Sequence, residues 1–83
     1  REVSDALIGV RKQREFREQQ ELLVKALADA SEVATMRYEG GVSSFLEVLD
    51  TDRQLFDAER DLVTAKRDES VAVVQLYKAL GGG

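Results

Sequence analysis

The sequence predicts an all-α fold, a long antiparallel coiled-coil hairpin of two helices, and three observations support it. Apolar residues recur at helical spacing through almost the whole chain, no proline interrupts it, and one glycine pair, Gly40-Gly41, lies near the middle. Proline is excluded from helix interiors, and glycine commonly ends a helix. We therefore expect a helix over about 2–38, a turn over about 39–43 and a helix over about 44–80.

The first helix is predicted from two adjacent apolar stripes. One stripe consists of Phe16, Leu23, Leu27, Ala30 and Ala34, and the other consists of Leu22, Ala26, Val33 and Met36. The same period continues toward the start of the chain in Val3, Leu7 and Val10, whereas residues 11–21 are strongly charged. Because helices in proteins are stabilised mainly by packing of an apolar face, we expect this charged stretch to be the weakest part of the helix.

The turn is predicted from the chemistry on both sides of the glycine pair. Gly40 or Gly41 can take the left-handed conformation that ends a helix, because neither carries a Cβ atom. Ser44 and Glu47 have the spacing of a capping box, in which the two residues satisfy each other's free backbone N–H groups. Glu47 and Asp50 also place negative charge in the first turns, where the helix dipole favours it. A connection this short makes the helices antiparallel.

The second helix is predicted from an a/d heptad repeat in which leucine alternates with alanine. This helix–helix seam, interrupted by Glu69, consists of Leu55, Ala58, Leu62, Ala65, Ala72, Leu76 and Ala79. The pattern is typical of a coiled coil, and the small alanines allow a close approach of the partner helix. A second sevenfold series on the neighbouring flank consists of Leu49, Phe56, Val63 and Tyr77. A helix with two apolar flanks contacts two neighbours, and one hairpin covers only one of these flanks.

Composition argues against several classes of function. The chain contains no histidine and no cysteine, so the usual general bases and soft metal ligands are missing. Ser43 and Ser44 have no base to activate them, and helix capping is their expected role. Of 12 basic and 16 acidic residues, residues 1–37 hold seven of each, which leaves five and nine for residues 38–83. A nucleic-acid-binding protein shows a basic stripe instead. We expect no enzyme, no cofactor and no nucleic-acid partner.

Charged and apolar residues after the turn allow two interpretations. Glu47 and Asp50 share a helix face while Asp52 points elsewhere, so they form either an ordinary charged face or a weak site for a hard cation. Calcium prefers six to eight oxygen ligands, which two carboxylates do not supply. Arg53 follows Asp50 by three residues, so local pairing is expected. Leu46 lies off both apolar flanks and is either a contact of the turn or a side chain that points at something the hairpin surrounds.

Four motifs resemble a known family. They are Arg37-Tyr38-x-x-Gly41, Ser44-Phe45-Leu46-x-Val48-Leu49-Asp50, Arg53-x-Leu55-Phe56 and the closing Leu76-Tyr77-Lys78-Ala79-Leu80-Gly81-Gly82-Gly83. With the charged, alanine-rich helices between them, they resemble the outer-membrane channel proteins of bacterial tripartite efflux pumps. This is the TolC- and OprM-like family, which includes the NodT-type lipoproteins. The departures are the doubled glycine at Gly40 and Thr51-Asp52 in place of the more typical Ala-Gln, which adds a negative charge.

The resemblance implies an architecture that extends beyond this chain. Each protomer of the family has two such hairpins and β-strands of an outer-membrane barrel, and three protomers close into a periplasmic α-helical tunnel. Residues 1–83 are then a single hairpin, the second of the two, from the tunnel domain of a larger channel protein. The start at Arg1 without a methionine agrees with this expectation. The implied partners are two further copies of the protein, a periplasmic adaptor (membrane fusion) protein, an inner-membrane pump and, through strands outside this chain, the outer membrane.

The resemblance also implies roles for individual residues. The adaptor-docking tip would consist of Tyr38, Glu39, Gly40, Gly41, Val42, Ser43 and Ser44. In the aperture of the tunnel, Leu46 would form an apolar constriction, Glu47 and Asp50 acidic rings, and Arg53 a contact that keeps the tip closed. The protein would conduct exported solutes passively from the periplasm of a Gram-negative bacterium through its outer membrane.

An alternative function remains open at this point. A free-standing antiparallel coiled-coil spacer or scaffold, with no role in transport, has the same periodicity. The tip motif and the closing motif favour the channel over the spacer. For the isolated chain, two apolar flanks predict self-association, for example as a four-helix bundle of two hairpins.

Overall fold

The computed structural model describes residues 1–82 and contains two helices, α1 (Glu2–Glu39) and α2 (Phe45–Ala79). The helices pack side by side and antiparallel, and they form a rod of 61 × 16 × 12 Å. Residues 1–82 contain no strand. The predicted all-α hairpin is therefore confirmed, and each predicted helix boundary lies within one residue of the observed one. Neither α1 nor α2 has an apolar stretch sufficient to span a bilayer.

The turn between the helices is held by a Schellman motif, the pair of backbone hydrogen bonds that often closes a helix. The N–H of Gly41 donates to the carbonyl of Tyr38 at 3.0 Å, and the N–H of Val42 donates to the carbonyl of Arg37 at 2.8 Å. Gly41 has a φ of 73°, whereas Gly40 is right-handed with a φ of −80°. Of the two glycines, Gly41 is therefore the one whose position requires a residue without a Cβ atom.

The predicted capping box at the start of α2 is wrong. Ser44 is the N-cap residue, with an extended backbone (φ −80°, ψ 160°), but its side chain makes no capping hydrogen bond. The Glu47 carboxylate instead lies 3.4 Å from Arg37 Nε in the last turn of α1. The turn places the Arg37 guanidinium beside the Glu47 carboxylate, so Glu47 faces α1 and does not reach back to the backbone N–H of Ser44. Glu47 thus links the two helices across the turn.

The core is a single narrow seam between the helices. Its buried residues are Val10, Ala34, Val48, Ala58, Ala65 and Ala72. Four of these six are alanines, so the backbones approach closely and little side-chain volume lies between them. Leu55, Leu62, Leu76 and Ala79 are half-buried on the same side of α2. The structure therefore places the predicted Leu/Ala seam of α2 against α1.

The face of α1 that packs against α2 differs from the predicted stripes. Its buried and half-buried residues recur every three or four positions: Val3, Ala6, Val10, Gln13, Arg17, Gln20, Val24, Leu27, Ser31 and Ala34. Of the stripe residues, only Leu27 and Ala34 lie on this face, while Phe16, Leu22 and Met36 are exposed. The middle of the contacting face is polar, and it can face α2 because Arg17 pairs there with a carboxylate of α2. An apolar pattern therefore did not identify it.

A second apolar face of α2 remains uncovered. We call Leu49, Phe56, Val63 and Tyr77 the outer column; they are between 51% and 69% exposed. These four residues form the sevenfold series that flanks the seam in the sequence. In the hairpin, α1 covers the seam and leaves the outer column to solvent. An exposed apolar column on a helix that already has one partner indicates a contact surface for another element.

Candidate functional site

The candidate site is the end of the hairpin that contains the turn, together with the first turns of α2. Tyr38 and Glu39 end α1, and Gly40, Gly41, Val42, Ser43 and Ser44 form the connection to α2. All seven are exposed except Ser43, which is half-buried. The residues predicted to dock an adaptor therefore lie together on one accessible surface.

Two contacts across the turn brace this surface. The rings of Tyr38 and Phe45 have centroids 5.1 Å apart and are tilted by 57°, within the range of favourable aromatic pairs. On the same end of the molecule, Arg37 and Glu47 form the ion pair described above. Both contacts join the last turn of α1 to the first turn of α2. Together with the Schellman motif they connect the two helices at the tip.

The predicted aperture residues have different neighbours in the structure. Leu46, Asp50 and Arg53 are brought together with Leu49 around a shallow depression of ≈ 220 Å³. Glu47 lies away from this group, beside Arg37 of α1. Leu46 is 72% exposed, the largest exposed fraction among the large apolar side chains of residues 1–82. Most of its surface is therefore accessible from outside the hairpin.

The carboxylates near the tip each have a different partner. Asp50 accepts hydrogen bonds from Arg53 Nη2 and from Gln54 Nε2, each at 3.0 Å. Asp52 points toward α1, where the Ser31 hydroxyl donates to it. These two carboxylates and Glu47 therefore do not converge on one point of a single hairpin. Within residues 1–82 no group of acidic residues is arranged to hold a metal ion.

Arg53 occupies an accessible position. Its side chain is 74% exposed, and that of Asp50 is 50% exposed. Exposed ion pairs of this kind contribute about 0–1 kcal/mol, because water and salt screen them. The energy that holds Arg53 on Asp50 is small, so Arg53 can exchange this carboxylate for one on a neighbouring molecule. Its predicted role in closing the tip stays a prediction.

Sequence reasoning missed the most enclosed charged cluster of the hairpin, which lies in the middle of the seam. Arg17 donates from Nε and Nη2 to the two carboxylate oxygens of Glu69 at 2.9 and 3.1 Å. Arg17 also donates to Glu21 at 3.2 Å, and Arg14 lies 3.5 Å from Glu69. The side chains of Arg17 and Glu69 are only 23% and 18% exposed. The signal in the sequence was the interruption of the Leu/Ala seam at Glu69.

The contacts within the cluster shift the pKa values of Arg17 and Glu69 so that both side chains stay charged. Hydrogen bonds from Arg17 lower the pKa of Glu69, and the charges of Arg17 and Arg14 add to this effect, while desolvation opposes it. The hydrogen bond to Glu69 raises the pKa of Arg17. Bidentate contacts between arginine and a carboxylate are strong and geometrically specific. The middle of the seam is therefore polar, charged and fixed in geometry.

Comparison with known proteins bears on the resemblance noted from the tip motif. The family model described as "Outer membrane efflux protein" matches residues 1–82. The chain is 40% identical over 82 residues to the probable efflux pump outer membrane protein TtgC of Pseudomonas putida, covering 99% of this chain and 17% of TtgC. It is 35% identical over 83 residues to the outer membrane protein OprJ of Pseudomonas aeruginosa, covering 100% of this chain and 17% of OprJ.

A third relative matches a shorter stretch more closely. The chain is 49% identical over 51 residues to the solvent efflux pump outer membrane protein SrpC of Pseudomonas putida, covering 61% of this chain and 11% of SrpC. The chain thus spans 17% of the length of TtgC and OprJ. The family match extends over both helices and the tip, and the predicted family is confirmed. The chain belongs to the outer membrane efflux protein family.

Proposed function

We propose that this hairpin is part of the wall of a periplasmic tunnel in a trimeric outer-membrane efflux channel, through which exported solutes pass passively. The observation that carries the proposal is the outer column of α2, which stays exposed although α1 covers the other apolar face. A helix in a tunnel wall has one neighbour on each side. A hairpin supplies one of them, and the adjacent part of the wall supplies the second.

The size of the uncovered face supports a neighbour of this kind. Burial of a leucine, valine or phenylalanine side chain contributes roughly 1.5–3 kcal/mol. The outer column therefore offers a neighbouring helix several kcal/mol of apolar burial along most of the length of α2. Exposed residues of α1, including Ile8, Phe16 and Leu22, offer a comparable surface on the other helix. A free-standing spacer gains nothing from either surface.

The tip then takes the two roles implied by its family. The braced, accessible surface from Tyr38 to Ser44 docks a periplasmic adaptor, and the adaptor links the tunnel to an inner-membrane pump that supplies the energy. In three copies around an axis, Leu46 narrows the aperture. Glu47 and Asp50 contribute negative charge there, which favours cations in a narrow pore. The role involves no catalytic step and no cofactor.

This role locates the segment within a larger protein. Residues 1–83 form one hairpin of the tunnel domain in the periplasm, and other parts of the protein anchor it in the outer membrane of a Gram-negative bacterium. The names of TtgC and SrpC, which describe outer membrane proteins of efflux pumps, support this location. Opening of the aperture requires the hairpins to move apart at their tips, a small displacement of one helix pair against its neighbours.

A substitution in the outer column of the full-length protein tests the wall. Phe56→Glu places a charge in the proposed contact between neighbouring helices and leaves the seam with α1 unchanged. We expect the trimer extracted from the outer membrane to disappear from native electrophoresis. Thr64→Glu is the matched control, because Thr64 is exposed and lies roughly 80–100° around the helix from Phe56 and Val63, and it should leave the trimer intact. A normal trimer carrying Phe56→Glu would refute the tunnel wall and favour a spacer.

A further inference from the structure

Helix α2 has two apolar faces on which α1 could pack. The face that α1 covers carries Leu55, Leu62 and Leu76 with alanines between them, and the other face is the outer column. Burial free energy rises with apolar area, and the two faces offer broadly similar amounts of it: three leucines and four alanines in the seam, and a leucine, a phenylalanine, a valine and a tyrosine in the outer column. Apolar content alone therefore does not explain why α1 lies on the alanine-rich face.

The contacting face of α1 has a requirement that only one of the two surfaces meets. Its middle consists of Gln13, Arg17 and Gln20. A guanidinium that loses much of its water needs a carboxylate in return, because an unpaired desolvated charge is costly. Glu69 supplies it through two hydrogen bonds of 2.9 and 3.1 Å. Glu69 also occupies the heptad position of the seam between Leu62 and Leu76, directly in line with the covered face.

The outer column lacks an equivalent group. At the heptad position between Val63 and Tyr77 it carries Ser70, which is exposed. A hydroxyl does not neutralise a guanidinium, so packing of α1 on the outer column would replace the bidentate contact with Glu69 by a serine and leave Arg17 only its single hydrogen bond to Glu21 on the same helix. We propose that the Arg17–Glu69 ion pair selects the face of α2 on which α1 packs, and thereby keeps the outer column free for another neighbour. This selection follows from the hairpin itself and does not depend on the transport role.

The selection resembles the use of single polar positions to exclude wrong pairings in coiled coils. The ion pair adds little apolar burial, but it makes one of two possible packings much less favourable. In this proposal the ion pair determines which face α1 covers. The alanines of that face then allow the two helices to approach closely.

An exchange of adjacent residues tests the proposal in the full-length protein. The double variant E69S/S70E moves the carboxylate from the seam to the outer column, roughly 100° around the helix, without a change of composition. Two cysteine pairs report which face is covered: Val10→Cys with Leu76→Cys for the seam, and Val10→Cys with Tyr77→Cys for the outer column. Val10 and Leu76 lie one heptad from Arg17 and Glu69, and residues 1–83 contain no other cysteine.

With the natural residues at 69 and 70, oxidation should cross-link position 10 mainly to position 76. In E69S/S70E we expect the ratio of the 10–76 product to the 10–77 product to fall by about tenfold, as for coupled charges in contact. Reversal of all four charges of the cluster, R14E/R17E/E21R/E69R, keeps every pairing and should leave the ratio near its original value. Asp68→Asn is the matched control, since it removes a neighbouring carboxylate that pairs with exposed Arg67, and it should leave the ratio unchanged.

Three results would overturn the proposal. An unchanged ratio in E69S/S70E would mean that the alanine seam or the turn selects the face without the ion pair. Loss of both products in E69S/S70E would mean that the pair holds the hairpin together without selecting a face. A low ratio in R14E/R17E/E21R/E69R would mean that charge complementarity is not the cause.

Discussion

Gly41 is the residue on which the geometry of the tip depends most. Its φ of 73° lies in the left-handed region, and a Cβ atom at this position would meet open space. Substitution therefore carries a backbone cost and no steric clash with neighbours. Gly40 next to it has a helical backbone, and its Cβ would contact the Met36 carbonyl at 3.4 Å, an ordinary distance.

The two glycines give the first prediction, in which Gly41→Val is compared with Gly40→Ala. Left-handed backbone costs an L-residue about 1–2 kcal/mol, so Gly41→Val should lower the free energy of unfolding by at least this amount. Gly40→Ala should change it little. Urea denaturation followed by circular dichroism measures both. In the full-length protein, Gly41→Val should also weaken adaptor docking and export.

A third variant separates backbone strain from the loss of a docking surface. Asparagine adopts the left-handed conformation more readily than other residues with a Cβ atom, so Gly41→Asn should recover part of the stability. Equal losses for Gly41→Val and Gly40→Ala would contradict the assignment of the strain to Gly41.

The second prediction concerns the pH dependence of the Arg17–Glu69 pair. The pKa of Glu69 is lowered in the hairpin, so its ionisation stabilises the folded state at any pH above its unfolded value of about 4.3. That contribution is lost as the pH falls through the lower folded pKa. The stability difference between the natural chain and Glu69→Gln should be constant near neutral pH and should shrink below about pH 4.

Urea titrations at a series of pH values measure this difference. Asp50→Asn provides the comparison, because Asp50 pairs only with exposed groups near the tip. A difference between the natural chain and Glu69→Gln that stays constant down to pH 2 would show that the Glu69 carboxylate contributes nothing as an ion.

The two helices differ in the faces that they bring into contact. The contact face of α2 is a regular series of leucines and alanines, whereas the middle of the contact face of α1 is polar. Ala65 shows how tightly the seam is packed, since its exposed fraction is 0%. Leucine at this position has no room unless the helices separate or a side chain leaves its preferred rotamer. Overpacking of this kind typically costs about 1–3 kcal/mol.

The third prediction follows from this packing. Ala65→Leu should lower the free energy of unfolding, although leucine and alanine have similar helix propensities. Val63→Leu, two residues away in the outer column, is the control and should be neutral or stabilising, because it adds apolar surface without crowding the seam. Thermal unfolding of both variants tests the difference. If Ala65→Leu stabilised the hairpin, the seam would contain a void that the alanine leaves unfilled.

The whole molecule is a rod with far more surface than interior. Within residues 1–82, six buried residues, none larger than valine, form the core, while the outer column and the apolar residues on the far side of α1 are exposed. Such a molecule gains most of its remaining apolar burial from other chains. The tunnel wall proposed above is one arrangement that supplies it.

The fourth prediction is that the isolated 83-residue chain self-associates. Light scattering should give a dimer, two hairpins that cover each other's exposed faces as a four-helix bundle. Phe56→Lys should shift the chain toward the monomer, whereas Thr64→Lys at an exposed position away from the outer column should not. A strictly monomeric natural chain would contradict the argument that α2 needs two neighbours. The dimer would substitute for neighbours in the wall and would differ from the native assembly.

Much of this molecule could be foreseen because its signals are local. The period of Leu55, Ala58, Leu62 and Ala65 defines a seam on one helix whatever lies opposite. The helix boundaries follow from the absence of proline and from the glycine pair, since these act through the backbone of a few residues. The second apolar flank of α2 was visible for the same reason, as a sevenfold series beside the first.

The remaining features depend on which residues meet in space. Arg17 and Glu69 are 52 positions apart, and only the antiparallel packing of α1 on α2 brings them together and makes a polar face of α1 its contact face. Glu47 was expected to cap its own helix, but the turn places Arg37 within its reach. The spacing of residues along one helix shows which of its faces are apolar or charged. Partners across the hairpin, and therefore the choice between competing faces and contacts, follow from the packing of both helices.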